Sequence, residues 1–253
     1  MIIKNIKSNA IKILLTIDFI IYLFILVMDF FQIQSLYKYS SNIKFISIVI
    51  CFAITLFISK HNIYDRVDIT ILRLALFFTT VADFNMVILQ NNKVGILFFI
   101  IVQSLYIIRH GRFIDINGQV QYKHKDIYMF ILYIFIFVFI KNINIFSREN
   151  TILSLALMYT LLLIQSLITA YKTFNNNFFQ PVTCKIISIG ITLFFLCDLN
   201  VGFSNISFYL LNIQHIKNLE NIFLPLIWFF YLPSQILISL SGYNVDPKHK
   251  SKY

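Results

Sequence analysis

Two aspartates stand where a charge is expensive, and they are the residues of this sequence best suited to do chemistry. Asp83 lies inside RLALFFTTVADFNMVIL (73–89) and Asp198 inside PVTCKIISIGITLFFLCDLNVGF (181–203). Each opens the same tripeptide, Asp-x-Asn, as Asp83-Phe84-Asn85 and Asp198-Leu199-Asn200. In dry surroundings a carboxyl resists ionisation, and a second carboxyl nearby opposes a second charge. One acid can then hold a proton while the other stays charged, which is the division of labour that general acid–base catalysis needs. The competing structural reading is a hydrogen bond to a neighbouring helix or an ion pair with Arg73 or Lys185. Arg73 precedes Asp83 by ten residues, about 15 Å along a helix, so it cannot pair with that acid in a straight helix and is expected to snorkel to the surface. For a matched pair of intramembrane acids, function outweighs structure.

The elements that must position these acids are membrane helices. The chain of 253 residues is 58% hydrophobic and 13% charged, with a mean hydropathy of +0.78, more apolar surface than a soluble domain of this length can hide. Candidate spans fall at about 11–31, 44–59, 67–89, 94–109, 126–140, 151–171, 182–203 and 222–240. Such runs without strand-like alternation are helices, because lipid offers the backbone no partners. The fold class expected is therefore all-α integral membrane, about eight transmembrane helices in a single domain over 1–253. The spans at 44–59 and 126–140 fall short of the roughly 20 residues a crossing needs, so a seven-span chain stands as the alternative.

The net charge of +10 raises the question of nucleic acid, but the basic residues sit in short loops between apolar runs and read as orientation signals and lipid-headgroup contacts. Twelve of the 21 Lys and Arg fall in the N-terminus, the 60–66 turn, the 109–125 loop, Lys172 and the tail, and six in the opposite loops. Both termini are expected in the cytoplasm of a bacterial cell membrane. Lys4, Lys7 and Lys12 precede the first apolar run as in a signal peptide, yet no small-x-small site follows, so a retained first helix is expected. In this orientation both acids lie sixteen residues into outward-running spans, roughly 24 Å from the cytoplasmic side. Sharing a depth, they suggest two four-helix repeats about a pseudo-two-fold along the membrane normal. The longest loop, Arg109 to Asp126, reads as a cytoplasmic connector.

The other polar residues read more plainly. Asp29 is expected near a solvated helix end and Asp18 as a further polar bundle residue. Gln103, Gln165 and Gln235 default to interhelical hydrogen bonds. Cys51, Cys184 and Cys197 are read as free buried thiols. Asn205-Ile-Ser207 is a weak glycosylation match. The five histidines lie in loops or at span ends, and no phosphate loop, GxSxG, HExxH or metal-ligand cluster is present, so nothing implies a metal or an organic cofactor.

From Asp83 onward the pattern resembles the YhhN-like, lysoplasmalogenase-type membrane proteins. The family's Gly-Asp, then Gly-x3-Phe-x3-His-x2-Tyr, is matched by Asp83 and by Gly95, Phe99, Gln103 and Tyr106. Gly-x3-Phe-x3-Asp is matched by Gly190, Phe194 and Asp198, and Tyr-x3-Gln by Tyr231 and Gln235. Lys44 aligns with a Lys-Pro that opens the second helix, with Phe45 in place of the proline. Gln103 replaces the family His, Ala82 the Gly before the first acid, and Cys197 the Ser before the second. Glutamine cannot titrate near neutrality, so a proton that the His would carry needs another carrier.

The resemblance implies a lipid hydrolase that cleaves the vinyl-ether bond of lysoplasmalogens to a fatty aldehyde and a glycerophospho-headgroup. Asp83 and Asp198 would be the acid and its partner, in an order the sequence leaves open. Gln103, Tyr106, Tyr231 and Gln235 would orient substrate or water, and Lys44 would meet the headgroup phosphate. The partners expected are a lysophospholipid and the bilayer, not nucleic acid, and the oligomeric state is open. A proton-coupled transporter and a non-catalytic lipid-binding protein are the alternatives.

Overall fold

A computed structural model describes residues 2–32, 37–59, 62–115, 117, 119–122, 150–210 and 217–244, with side chains described for these except 2–8, 37–38, 150–153, 205–210 and 217–222. Seven helices among them are long and apolar enough to cross a membrane. They are α1 (Ile2–Phe31), α2 (Tyr37–Phe57), α3 (Arg66–Asp83), α4 (Asn92–His110), α5 (Asn150–Lys172), α6 (Pro181–Leu210) and α7 (Lys217–Leu240). The second span, expected short at 44–59, is a helix of 21 residues. The expected span at 126–140 lies outside the described residues.

Helices α2 to α7 pack in sequence, each on the next, and α7 closes back on α2; α1 covers the seam, touching α2 and α7. The C-terminal ends of α4 and α5 meet, where Asn176 Nδ2 donates to the His110 carbonyl at 3.0 Å, so the two helices run in the same direction. The apolar side chains that fill this ring include Leu72, Leu76, Ile187, Ile191 and Leu232, all fully buried. Close approach of α6 and α7 depends on Gly190, where a Cβ would meet Ile238 Cγ1 at 3.1 Å and Leu237 Cβ at 3.3 Å.

One end of the bundle is clamped by charge. Arg109, at the end of α4, donates to both carboxylate oxygens of Asp68 in α3 at 2.9 and 3.1 Å. It also donates to Ser241 Oγ at 2.7 Å and to the Ser241 carbonyl at 3.0 Å, just past α7. Both charges are 0% exposed, and the Phe179 ring lies beneath the guanidinium, 5.1 Å away. Arg112 pairs with Asp65, whose carboxylate also caps α3. Arg112 opens a two-stranded hairpin, β1 (Arg112–Ile114) with β2 (Val120–Tyr122), paired Arg112 to Tyr122 and Ile114 to Val120. The connector expected from Arg109 to Asp126 thus begins with a short hairpin. Its turn is set by Asp115, whose Oδ1 accepts from the backbone N–H of Asn117 and Gln119.

At the opposite end, Asp29 of α1 is buried and pairs with Lys44 of α2 at 2.8 Å. The expectation of a solvated Asp29 is thereby corrected: the pair exists because α1 lies flat on α2, which turns the carboxylate inward. Arg73 likewise does not simply snorkel, since Nε and Nη2 donate to the Thr55 carbonyl at 3.2 and 3.0 Å.

Removing either partner of the Arg109–Asp68 pair takes the nearest opposite charge from a buried group, with only Arg112, 4.0 Å from Asp68, left near the carboxylate. Arg109→Met or Asp68→Leu should each lower stability by about 3–5 kcal/mol, and the double substitution by less than either. Thermal unfolding of the four proteins in detergent checks this; additive losses would count against it.

Candidate functional site

Asp83 is the last residue of α3, and the helix loosens directly after it into a π turn, Phe84–Ile88, ending with Gln90 at φ 53°. Asp198 lies in the unbroken α6. Each acid is seventeen residues beyond the first residue of its helix, about 25 Å along the axis. The shared tripeptide has a local explanation. Asn85 Nδ2 donates to the Val81 carbonyl at 2.8 Å and Asn200 Nδ2 to Leu196 at 2.7 Å, so each asparagine bonds its own helix four residues back and not its acid.

Neither acid is paired with a cation among the described residues. Asp83, 4% exposed, accepts from the Tyr231 hydroxyl of α7 at 2.5 Å. Asp198, half-buried, accepts from the Tyr159 hydroxyl of α5 at 2.5 Å. The two phenols are joined through a file of rings: Tyr159 to Phe99 at 6.0 Å, Phe99 to Phe194 at 5.9 Å, and Phe194 to Tyr231 at 5.7 Å. The carboxyls lie within electrostatic reach of each other, and Tyr231 within reach of both. Four helices, α3, α5, α6 and α7, thus bring two acid–phenol pairs together across an aromatic layer. The phenols do not follow the expected two-fold, since one comes from the helix after that of Asp198 and the other from the helix before it.

On α4, Gln103 and Tyr106 share a face and are fully buried. Gln103 comes up to the Tyr159 hydroxyl, yet neither of its amide atoms has a partner in hydrogen-bond geometry. The Tyr106 hydroxyl approaches Thr79 and is likewise left open; its ring stacks on His110 at 5.8 Å. Gln235, one turn after Tyr231, donates to Ser234 Oγ at 3.3 Å and keeps Oε1 open. Lys44 stands apart from the acids. Its Nζ lies 5.3 Å above the Trp228 ring, and that ring meets Tyr231 edge-on at 5.3 Å.

Sequence reasoning missed one residue and one pairing. Tyr159 carried no pattern distinguishing it from the other tyrosines of apolar runs. Cys51 and Asp18 were read separately, and their pairing was missed: the thiol donates to Asp18 Oδ2 at 3.2 Å, with Asp18 fully buried. All three cysteines are free and buried, as expected. No group of three His, Cys, Asp or Glu among the described residues is placed to hold a metal.

Apolar spanning helices closed around tyrosine-bonded carboxyls define a polytopic α-helical membrane protein with an acid-lined interior. The chain belongs to the YhhN family, which matches residues 39–242. The match takes in α2 to α7 and leaves out α1. No match was found among curated proteins or among solved structures.

The seating of α4 on the π turn depends on Gly95, where a Cβ would fall 2.1 Å from Met86 Cγ and 3.3 Å from the Ala82 carbonyl. Gly95→Ala should cost about 1–3 kcal/mol by forcing Met86 aside, and adding Met86→Ala should recover part of that loss. Melting temperatures of the two variants decide it, and an unaltered Gly95→Ala protein would count against this packing.

Proposed function

We propose that this protein is a membrane-embedded lipid hydrolase, built as one transmembrane domain, that cleaves the vinyl-ether bond of lysoplasmalogens. Membership of the YhhN family supports the class. The observation that carries the reading is the pair of carboxyls at one depth, each held by a phenol and, among the described residues, by no cation.

An enol ether is hydrolysed by protonation at its β-carbon. This forms an oxocarbenium ion, which water attacks while losing a proton to a base. The resulting hemiacetal then breaks its C–O bond to give the fatty aldehyde and the glycerophospho-alcohol. The steps need one acid and one base on a shared cleft, as in glycoside hydrolysis. Charge is costlier at Asp83, 4% exposed, than at half-buried Asp198. Asp83 is therefore assigned to deliver the proton, and Asp198 to orient the water, take its proton and stabilise the cation. Tyr231 and Tyr159 fix one oxygen of each acid and leave the other for the reaction. Gln103, Tyr106 and Gln235, with open polar atoms, orient the water and the glycerol oxygens, while Lys44 serves the headgroup. Both termini are assigned to the cytoplasmic side on the strength of the loop charges, and the richness in Ile, Asn, Lys, Phe and Tyr supports a bacterial source.

A lipid-binding protein without turnover is the second reading, and Gln103 favours it, because an amide stands where the resemblance has a titratable imidazole.

Purified protein should release aldehyde from lysoplasmalogen, with a bell-shaped dependence of kcat/KM on pH. Asp83→Asn and Asp198→Asn should each remove about two to four orders of magnitude of kcat while still folding. Binding without aldehyde release by the wild type would select the second reading. Uptake into sealed vesicles driven by a pH gradient would select a transporter instead.

A further inference from the structure

The ion pair between α1 and α2 sits on a path to the acid. Asp29 contacts Lys44 Nζ at 2.8 Å, Lys44 Nζ lies 5.3 Å over the Trp228 ring, Trp228 meets Tyr231 at 5.3 Å, and the Tyr231 hydroxyl bonds Asp83. A second contact supports the same neighbourhood, because Phe45, next to Lys44, lies 5.6 Å from Phe84, next to Asp83. Lys44 is therefore a cation linked to Asp83 through the Trp228 and Tyr231 rings, and the anion on it comes from α1, the helix outside the family match. The side chains of Lys44 and Asp29 are 14% and 8% exposed, so the pair is neither free in solvent nor sealed. A buried ion pair repays little of its desolvation; exchange of one anion for another keeps the cation satisfied and requires the displaced Asp29, in the last turn of α1, to be rehydrated or protonated.

We infer that Lys44 and Trp228 form a site for the phosphate of a lysophospholipid headgroup, and that Asp29 occupies it at rest as a resident counter-anion which the phosphate displaces. This rests on the reading of the interior as a lipid site, but not on turnover. Asp29 then sets selectivity. It lowers the affinity for a phosphate-bearing lipid by competing for Lys44, and leaves an uncharged glyceryl ether, which has no use for the cation, unaffected. The ligand's contribution is the difference between its phosphate and the aspartate carboxylate as partners of one ammonium.

Trp228 is the protein's only tryptophan, so its fluorescence reports on this site without any label. Full-length protein in an uncharged detergent is titrated with a non-cleavable alkyl lysophosphatidylcholine, with the alkylglycerol of the same chain, and with inorganic phosphate. In the wild type the lysophospholipid should change Trp228 emission in a way the alkylglycerol does not; identical responses would overturn the proposal without any variant. Asp29→Asn should tighten lysophospholipid binding by about fivefold or more and leave the alkylglycerol unchanged. Asp29→Glu should bind like the wild type, and Lys44→Gln should treat the two lipids alike. Unchanged or weakened lysophospholipid binding in Asp29→Asn would overturn the competition, and an equal response to inorganic phosphate would reassign the site to the free anion. Because the readout is binding, a protein that binds in this pattern yet releases no aldehyde refutes the hydrolase and not the site.

Discussion

Everything polar in this bundle answers to one constraint, which is that the membrane interior supplies no water to complete an unfinished hydrogen bond. Most of the chain meets it locally. Thr79, Thr80, Ser104, Asn85 and Asn200 all donate to carbonyls four residues back on their own helices. The groups that cannot be satisfied locally are carboxyls, which when ionised can only accept. Asp83 and Asp198 therefore draw donors from other helices, and the Tyr231 and Tyr159 bonds fix how α3 faces α7 and how α6 faces α5. The file of rings between the phenols fills the space the two bonds leave. Among the buried polar atoms that this leaves open are those of Gln103, Tyr106 and Gln235, on the helices that also face the two acid–phenol pairs.

The glycines show how tightly this interior is framed. Gly190 lets α6 and α7 touch backbone to side chain, and Gly95 lets α4 settle on the π turn beside Asp83. A π turn widens the helix by one residue and re-aims what precedes it. Here it follows the acid directly, so the end of α3 departs from regularity where Asp83 must reach α7. Asp198 needs no such device, because α5 and α6 are neighbours in the ring and Tyr159 lies within reach of a regular helix. The two acids match in depth and differ in setting, which is why one is buried and the other half-buried.

Much of the frame was legible in the sequence because hydrophobic length is a one-dimensional signal. The spans and the free thiols follow from it, and the acids' equal depth follows from counting residues. What lay beyond reach was pairing, which depends on which helices become neighbours. Lys44 and Asp29 each looked like a residue near a membrane surface, and only the lie of α1 on α2 makes them partners. Asp68 and Arg109 sit at the ends of consecutive spans with opposite charge, a signal that was present but competed with the reading of Arg109 as a loop charge. The hairpin after α4 was obscured by its brevity: three-residue strands carry too little alternation to read. Tyr159 could not have been chosen over other tyrosines without knowing that α5 faces α6.

The distribution of partners follows the dielectric and bears on what the acids can do. Ion pairs stand near the two ends, Arg109 with Asp68 and Lys44 with Asp29, while between them Asp83 and Asp198 take phenols and Asp18 a thiol. A guanidinium beside Asp83 would favour its charged form and hold it there. A phenol is a neutral donor, and it can bond a carboxylate or the carbonyl oxygen of a carboxylic acid with little change of geometry. The Tyr231 bond therefore survives a change of protonation, so a proton can leave and return without the helices moving. The choice of tyrosine over arginine at both acids is thus the feature of the fold that speaks most directly for proton transfer.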